Sequence, residues 1–522
     1  MIEALLGLDV GTSSTKAVLF DLGGVELAQA TSRPYRSFTP HPGWVQQDPE
    51  ELWSAVVSTI REVLLEAAAG VHVVALGMAA QSGSLLPAGE NGQPVYPLIT
   101  WMDGRSEKLV REWRDEGIED QIRPISGWSL YPGLCLPTIA WLSRHEPELF
   151  TLARHYFSVN DFIAYRLTGQ YCSNPSNAAG MQLVNIHTGQ WSERLTNLAG
   201  ITPEQLSPIR PTGAVVGKLK AEVCQATGLS RSTLLINGGH DQGCTALGLG
   251  VTSPGKLLLA CGTAWVITGV TDTPEVNHIP ASLDLNFHLV PQRWTMSQSL
   301  GGLGASLEWW ANQAWQGVSE TQTRKDIFLN LDDEVGQTEP GGNGLYFLPL
   351  TGGHDDPATT QRGGFVGLQL SHGRANIARA IMESAAYELR WALADVQEAG
   401  LPVDKLWMVG GATNSSHWPA ILTNATGIPI CLPHYDNWPA LGAAIVAGLG
   451  AGLFESLEDG LMRFEKPTIP LNPDPATKQF YDRGFVAYKE QVGHMASFSA
   501  YIRANQNEIN EPAGGFLTKE NI

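Results

Sequence analysis

Two short segments of the chain repeat a pattern that is suited to binding a polyphosphate. Each consists of an apolar run, a tight turn with glycine and hydroxyl side chains, and a second apolar run, over residues 5–20 and 257–268. Such a turn can direct backbone N–H groups and a hydroxyl at an anion. The turn residues are Gly11, Thr12 and Ser13 in the first segment, and Gly262 and Thr263 in the second. Two such hairpins facing each other would hold a polyphosphate from both sides, so the pattern predicts ATP as a ligand and phosphoryl transfer as the reaction.

Two carboxylates stand at the ends of predicted strands. Asp9 precedes the first turn, where it can hold Mg²⁺ directly or through water, because this ion prefers oxygen ligands. Asp241 follows Gly238 and Gly239, and a carboxylate at that strand end can accept the proton of an attacking hydroxyl. A second interpretation is that Asp241 caps a helix that begins there, and both can hold. The neighbouring His240 is expected to pack beside Asp241 or to support it, rather than to act as the base.

A third glycine-rich turn ends the apolar run at residues 405–409. Small residues such as Gly411 and Ala412 would let a flat adenine lie against the backbone, and Asn414 offers amide groups to its edge. The chain contains neither the GxGxxG pattern, nor a Walker A motif, nor GxSxG, which argues against Rossmann, P-loop and serine hydrolase interpretations. His354–Asp356 could be imagined as metal ligands, but no second His or Cys lies at ligand spacing, and a solvated loop is expected.

A polyol pocket is predicted where two strands end at one edge of a sheet, formed by Gln81, Ser82, Asp103 and Asp241. The strands are residues 71–78 and 234–238. The alternative for Asp103 is that it only pairs with Arg105 to hold its own loop.

Composition restricts the remaining interpretations. The chain has 522 residues, which suggests two domains, and a net charge of −19 without a Lys/Arg cluster, which argues against nucleic-acid binding. Six scattered cysteines suit a reduced, cytoplasmic protein, and no signal peptide is expected before the first strand. The longest apolar stretch, residues 440–454, is shorter than a membrane span and predicts a small-residue helix packed against a sheet. The oligomeric state is left open, with a homodimer as one option.

Several motifs taken together resemble the FGGY carbohydrate kinases. In chain order they are Asp9–Thr12, Pro42–Val45, Gln47–Pro49, Trp101–Arg105, Gly239–Asp241, Cys261–Thr263 and Gly410–Ser415. The resemblance covers roughly residues 3 to 455 and implies an α/β fold with two ribonuclease-H-like domains of the actin and sugar-kinase type around an interdomain cleft. Residues 1–246 would form a sugar-binding domain with a helical insertion, 247–470 an ATP-binding domain, and 471–522 a terminal helix and loose tail.

The resemblance also implies roles for individual residues. Asp241 would be the catalytic base, and Asp9 would lie near Mg²⁺. The residues expected near the nucleotide are Thr12 and Thr263 at the phosphates, Gly411 and Asn414 at the nucleoside, and Gly304 in a loop on the nucleotide side.

The resemblance is nearest to xylulokinases, which usually carry Gln-Met-His-Gly where this chain has Gln81-Ser82-Gly83-Ser84. The first hypothesis is therefore an ATP-dependent kinase for a ketopentose such as xylulose. The alternatives are the same chemistry on gluconate, ribulose, a polyol or another small carbohydrate, and a non-catalytic, actin-like nucleotide switch.

Overall fold

The computed structural model describes residues 2–314, 323–350 and 363–504. The predicted loop at His354–Asp356 and the predicted tail from Asn505 to Ile522 lie outside the described residues. Among the helices that the structure describes, none is both long and apolar enough to cross a membrane.

Within these ranges the strands are β1 (Ile2–Val10), β2 (Thr15–Asp21), β3 (Glu26–Thr31), β4 (Ser37–Phe38), β5 (Gln46–Gln47), β6 (Val71–Ala80), β7 (Leu86–Ala88), β8 (Leu98–Ile99), β9 (His155–Phe157), β10 (Val184–Asn185), β11 (Gln190–Trp191), β12 (Val215–Lys218), β13 (Leu234–His240), β14 (Gly255–Cys261), β15 (Trp265–Thr271), β16 (Asp284–Phe287), β17 (Trp294–Gly301), β18 (Tyr346–Leu348), β19 (Gly364–Val366), β20 (Val403–Val409), β21 (Ile430–Pro433) and β22 (Thr468–Leu471).

The helices are α1 (Pro49–Glu66), α2 (Glu107–Asp115), α3 (Glu119–Ser126), α4 (Cys135–His145), α5 (Pro147–Leu152), α6 (Val159–Thr168), α7 (Pro175–Gly180), α8 (Glu193–Ala199), α9 (Ala221–Thr227), α10 (Asp241–Gly248), α11 (Leu303–Ala314), α12 (Arg324–Gly336), α13 (Arg374–Glu398), α14 (Trp418–Thr426), α15 (Trp438–Gly450), α16 (Leu457–Phe464) and α17 (Pro475–Ala504). Short 3-10 turns lie at Pro203–Gln205, Val276–His278 and Gly411–Asn414.

The chain divides into two compact units. The first comprises the described residues of Met1–Leu258, Thr268–Ser297 and Pro433–Pro467, and the second those of Leu259–Ile267, Gln298–Leu432 and Thr468–Ile522.

The first unit contains a six-stranded sheet with the order β12-β13-β6-β1-β2-β3. β1 and β2 form the predicted antiparallel hairpin, in which Asp9 lies opposite Lys16. β6 runs parallel to β1 and pairs Ala79 with Asp9, and β13 runs parallel to β6 and pairs His240 with Ala80. Because the three strands are parallel and in this register, the residues that follow them meet at one edge of the sheet.

The small-residue helix predicted near residue 440 is α15, and it packs directly on this sheet. A Cβ at Gly7 would lie 1.9 Å from the carbonyl oxygen of Ala440, and one at Gly77 would lie 2.0 Å from that of Ala443. Glycine on β1 and β6 therefore lets the helix backbone touch the sheet, which confirms the expected close packing.

In the second unit β15, β14, β20, β21 and β22 are successive neighbours in a sheet. β14 and β15 form the second predicted hairpin, and β20 is the predicted strand before the glycine-rich turn. The ring of Trp265 at the start of β15 contacts Trp418 at the start of α14, with ring centroids 4.9 Å apart. The indole N–H of Trp418 donates to the carbonyl of Met382 on α13. These two contacts of Trp418 hold α13 and α14 beside the hairpin of β14 and β15.

Candidate functional site

Asp9 is a half-buried carboxylate at the sheet edge. Burial and, to a smaller extent, the negative charge of Asp241 raise the pKa of Asp9 to about 7, while Lys16 opposes both effects. A cation beside Asp9 would favour its ionised form. Within the described residues no group of three or more His, Cys, Asp or Glu side chains could hold a metal ion. A single carboxylate such as Asp9 nevertheless fits Mg²⁺, because this ion is commonly bound by one or two carboxylates together with water and substrate phosphates.

Asp241 is the first residue of α10, directly after β13. The helix N-cap is His240, so the interpretation of Asp241 as the cap was wrong by one residue. The Oδ1 atom of Asp241 accepts a hydrogen bond from the backbone N–H of Gln242 at 2.6 Å, and His240 Nε2 lies 3.0 Å from the same oxygen. Among the described residues, no hydrogen bond reaches Oδ2. The first turn of a helix stabilises a negative charge, so an ionised Asp241 with one available oxygen is well suited to accept a proton.

A closed set of hydrogen bonds connects the first turn to the loop after β6. The hydroxyl of Thr12 accepts from Trp101 Nε1 at 3.0 Å and donates to Gln81 Oε1 at 3.3 Å. The hydroxyl of Ser84 donates to the same oxygen and accepts from the backbone N–H of Trp101. Gln81 also donates to the carbonyl of Gly11. Thr12 and Gln81, predicted as phosphate and sugar ligands, are therefore linked to each other here, while Ser13 in the same turn is exposed.

Helix α7 holds the ends of two strands, and sequence reasoning missed it. The side-chain amide of Asn177 donates to the carbonyls of Ala80 and Gln81, and the hydroxyl of Ser176 accepts from the backbone N–H of His240. Asn174 completes the cluster by accepting from Ser176 and Asn177. All three side chains are buried. The Asn-Pro-Ser-Asn run signals a helix cap, but its neighbours are more than 60 residues away and the pattern does not indicate them.

Ser82 lies against this helix. Its hydroxyl is 3.5 Å from the carbonyl of Asn177, and a Cβ at Gly180 would lie 1.8 Å from the Ser82 hydroxyl. Gly83 adopts a φ of +80°, and a Cβ there would lie 3.1 Å from that of Trp101. The small residues of this loop therefore allow close contact with both neighbours.

Asp103 forms a buried pair with Arg105, which is the alternative interpretation that the sequence offered. Oδ1 accepts from the backbone N–H and Nε of Arg105, and Oδ2 accepts from Nη2 of Arg105 and the N–H of Val45. Each oxygen thus accepts two hydrogen bonds. The Arg105 guanidinium lies 4.0 Å from the Trp44 ring centroid. A direct contact of Asp103 with sugar stays a prediction.

In the second unit, the turn between β14 and β15 contacts the start of α11. Gly262 and Thr263 are exposed, and the Thr263 carbonyl accepts from the backbone N–H of Ala305 at 3.0 Å. A Cβ at Gly304 would lie 2.1 Å from the Gly262 carbonyl oxygen. Glycine at 304 is therefore required for packing, whatever ligand the turn binds.

The glycine-rich turn after β20 combines one constrained and one open glycine. Gly410 has a φ of +98°, and a Cβ there would lie 2.7 Å from the Cys261 carbonyl oxygen. Gly411 has nothing within 4 Å of a built Cβ and is exposed, as is Asn414, whose amide donates to the Gly411 carbonyl. Ala412 is buried. The two exposed residues are open to a ligand.

Asp332 on α12 anchors this turn, and no feature of the sequence indicated it. Its carboxylate accepts from the Ser415 hydroxyl and, at 2.7 Å, from the backbone N–H of Ser416. The Asp332 side chain is buried. A carboxylate on a neighbouring helix therefore holds the far end of the predicted adenine loop.

Two domain models of one protein family match the chain. Residues 4–248 match the N-terminal domain of the FGGY family of carbohydrate kinases, and residues 257–451 match the C-terminal domain of that family.

Curated relatives and solved structures extend the similarity over nearly the whole chain. The L-xylulose/3-keto-L-gulonate kinase of Escherichia coli is 27% identical, covering 96% of this chain and 99% of the relative. The gluconokinase of Bacillus subtilis is 27% identical, covering 88% and 90%. The structure of xylulose kinase from Rhodospirillum rubrum matches with a TM-score of 0.87 and 28% identity, over 95% of this chain and 100% of that one.

Both family domains are matched in order, and the structural match confirms the predicted two-domain α/β fold of sugar kinases. The chain therefore belongs to the FGGY family of carbohydrate kinases, enzymes that phosphorylate a carbohydrate.

Proposed function

We propose that the enzyme transfers the γ-phosphoryl group of ATP to a hydroxyl of a small open-chain sugar, with the ketopentose xylulose as the first candidate. The observation that carries this proposal is the geometry of Asp241. Its carboxylate lies in the first turn of α10, has a backbone N–H donor and the His240 imidazole against Oδ1, and leaves Oδ2 without a partner among the described residues.

In the proposed reaction, the sugar hydroxyl loses its proton to Asp241, and the resulting oxygen attacks the γ-phosphorus in line with the departing ADP. Backbone N–H groups of the turns at Gly11 and Gly262 stabilise negative charge on the phosphates. Mg²⁺, when bound, neutralises phosphate charge, and Asp9 is the carboxylate that would hold it directly or through water.

The site map divides between the two parts of the chain. We assign sugar binding to residues 1–246, through Gln81, Ser82 and Asp241, with Asp103 holding the adjacent loop and contacting the sugar only if that loop rearranges. We assign nucleotide binding to residues 247–470. The nucleotide residues there are Thr263, Gly304, Gly411, Ala412 and Asn414, with Thr12 and Ser13 of the first turn at the phosphates.

The identity of the sugar is the finer part of the proposal. The relatives named above act on xylulose, L-xylulose or 3-keto-L-gulonate, and gluconate, all of them small and open-chain. The Ser82-Gly83 pair of this chain is smaller than the Met-His pair that xylulokinases usually carry there, so we expect a roomier or differently polar pocket.

A coupled assay for ADP release tests the proposal with ATP, Mg²⁺ and a panel of D-xylulose, L-xylulose, ribulose, gluconate and glycerol. We expect D-xylulose to give the highest kcat/KM. The Asp241→Asn variant retains the shape of the side chain and should lose roughly 10²–10⁴-fold in turnover. Near-normal activity of that variant would contradict the base assignment. Absence of sugar-stimulated ADP release from wild type would favour the nucleotide switch instead.

A further inference from the structure

We propose that His240 is a positioning residue for the catalytic base: its imidazole holds Oδ1 of Asp241, so that Oδ2 is the atom that receives the substrate proton. The inference rests on the proposed function in which Asp241 is the base. It assigns a specific role to a side chain that the sequence predicted only to pack beside the base or to support it.

The contact between the two side chains is direct. His240 Nε2 lies 3.0 Å from Asp241 Oδ1, and the N–H of Gln242 lies 2.6 Å from the same oxygen. Because a carboxylate oxygen carries only acceptor lone pairs, the contact is attractive when Nε2 carries the ring proton. With the Gln242 N–H and the imidazole both against Oδ1, rotation of the carboxylate about its Cβ–Cγ bond would break the hydrogen bond and separate Oδ1 from the imidazole. The contact therefore distinguishes the two oxygens of the base.

The backbone of His240 is itself held in place. Its N–H donates to the hydroxyl of Ser176 at 2.9 Å, and that hydroxyl donates to Asn174 Oδ1 at 2.9 Å. The carbonyl of Ser176 accepts from the side-chain amide of Asn286 at 3.1 Å. Ser176, Asn174 and Asn286 are buried, so this support does not exchange readily with water. A fixed backbone determines where the imidazole can point.

Packing also restricts the junction of β13 and α10, where His240 and Asp241 lie. Leu289 lies against Gly239 and Gly243, one residue before His240 and two residues after Asp241. A Cβ at either glycine would lie 2.7 Å or 2.6 Å from its Cδ1 atom. The strand-to-helix corner that carries both side chains therefore has little freedom to shift, and the contact of the imidazole with Oδ1 is preorganised.

His240 does not have the geometry of the base itself. Its Nε2 is engaged with Asp241, and its side chain is 16% exposed against 28% for Asp241. Asp241 is thus both the more accessible group and the one with an available acceptor atom. A general base must lie within hydrogen-bond reach of the proton that it abstracts, and this condition favours the carboxylate.

The experiment uses steady-state kinetics with ATP, Mg²⁺ and the sugar of the panel above that wild type phosphorylates best. We expect His240→Ala to lower kcat by about tenfold to hundredfold, the order of loss for a misplaced catalytic group. The KM values for sugar and ATP should stay within about threefold, which is less than 1 kcal/mol of binding free energy. His240→Gln should recover most of kcat, because an amide N–H can donate to Oδ1 from a similar position. His72→Ala, at the opposite end of β6 from Ala80, is the control and should match wild type.

The double variant His240→Ala/Asp241→Asn separates a positioning role from an independent one. If His240 acts through Asp241, adding His240→Ala to Asp241→Asn causes no further loss. A multiplicative loss in the double variant would overturn the proposal, as would an unchanged kcat in His240→Ala or a His240→Gln variant as inactive as His240→Ala. Failure of Asp241→Asn to lose activity would instead contradict the proposed function, so the two failures are distinguishable.

Discussion

Arg105 holds Asp103 through two hydrogen bonds, from Nε to Oδ1 at 2.8 Å and from Nη2 to Oδ2 at 3.0 Å, with both side chains fully buried. The same carboxylate accepts the backbone N–H of Val45, 58 residues earlier in the chain. The pair thus fastens the loop that carries Trp101, whose indole donates to Thr12. Because this charged pair is buried and holds the loop, we expect removal of either partner to lower the stability of the protein.

Asp103→Asn and Arg105→Met should each lower the free energy of unfolding by about 3–5 kcal/mol, because each leaves a buried charge without its partner. The double variant removes both charges and should be less destabilised than the sum of the two. Thermal and urea unfolding of the four proteins measure this coupling. An Asp103→Asn variant with unchanged stability and a raised sugar KM would instead indicate a direct sugar contact.

In the turn after β20, substitution by alanine should affect ATP binding at Gly411 and stability at Gly410. Gly411→Ala should fold normally, because a Cβ there meets nothing within 4 Å, and should raise the KM for ATP by filling the predicted adenine surface. Gly410→Ala should lower the melting temperature by several degrees, because Gly410 has a φ of +98° and faces the Cys261 carbonyl. Differential scanning fluorimetry and ATP titration distinguish the two effects. Normal ATP affinity in Gly411→Ala would remove this turn from the nucleotide site.

Alanine substitutions at Gly262 and Gly304 test whether the turn between β14 and β15 binds ATP. A Cβ at Gly262 would lie 3.5 Å from the Ala264 carbonyl oxygen, an ordinary contact, so Gly262→Ala should keep its stability while ATP binding weakens. Gly304→Ala should be destabilised, because its Cβ would lie 2.1 Å from the Gly262 carbonyl oxygen. Calorimetric titration with ATP and sugar separately is the measurement. Equal loss of both affinities in Gly262→Ala would point to a folding defect.

His288 should make stability depend on pH. It is buried, its Nε2 donates to the Val251 carbonyl and its Nδ1 accepts from Val290, so it is held neutral. Burial lowers the pKa of His288 from 6.5 to about 4. As the pH falls, His288 therefore takes up its proton at a higher pH in the unfolded chain than in the folded protein. The neutral, buried His288 contributes about 3 kcal/mol to the free energy of unfolding relative to low pH. This stabilisation is fully present above pH 6.5 and is lost as the pH falls to 4.

The matching experiment compares melting temperatures between pH 4 and pH 7.5. His288→Gln should flatten the dependence in this window, whereas the exposed His187→Gln should leave it as in wild type. An equally steep dependence in His288→Gln would show that other groups cause it.

Local patterns in the chain determined much of the fold. Apolar runs on both sides of a glycine turn predicted each of the two hairpins. Asp48 followed by Pro49 predicted the start of α1, and the Asp48 side chain accepts a hydrogen bond from the N–H of Glu50 there. Small residues near 440 predicted a helix against a sheet. These features depend on neighbours in sequence, since turn conformation, capping and hydrophobic periodicity act over a few residues.

The sequence by itself also determined which residue types stand at the strand ends, including Asp9 and Asp241, and through its motifs the family. Only the tertiary structure decided how they are held. Asn177 reaches Ala80 across 97 residues, and Asp332 reaches the turn at Ser415 across 83. It also showed that Asp103 pairs with Arg105, while a sugar contact of Asp103 stays a prediction. Such contacts depend on how distant segments pack, and residue types at local spacing carry no information about which distant partner a side chain meets.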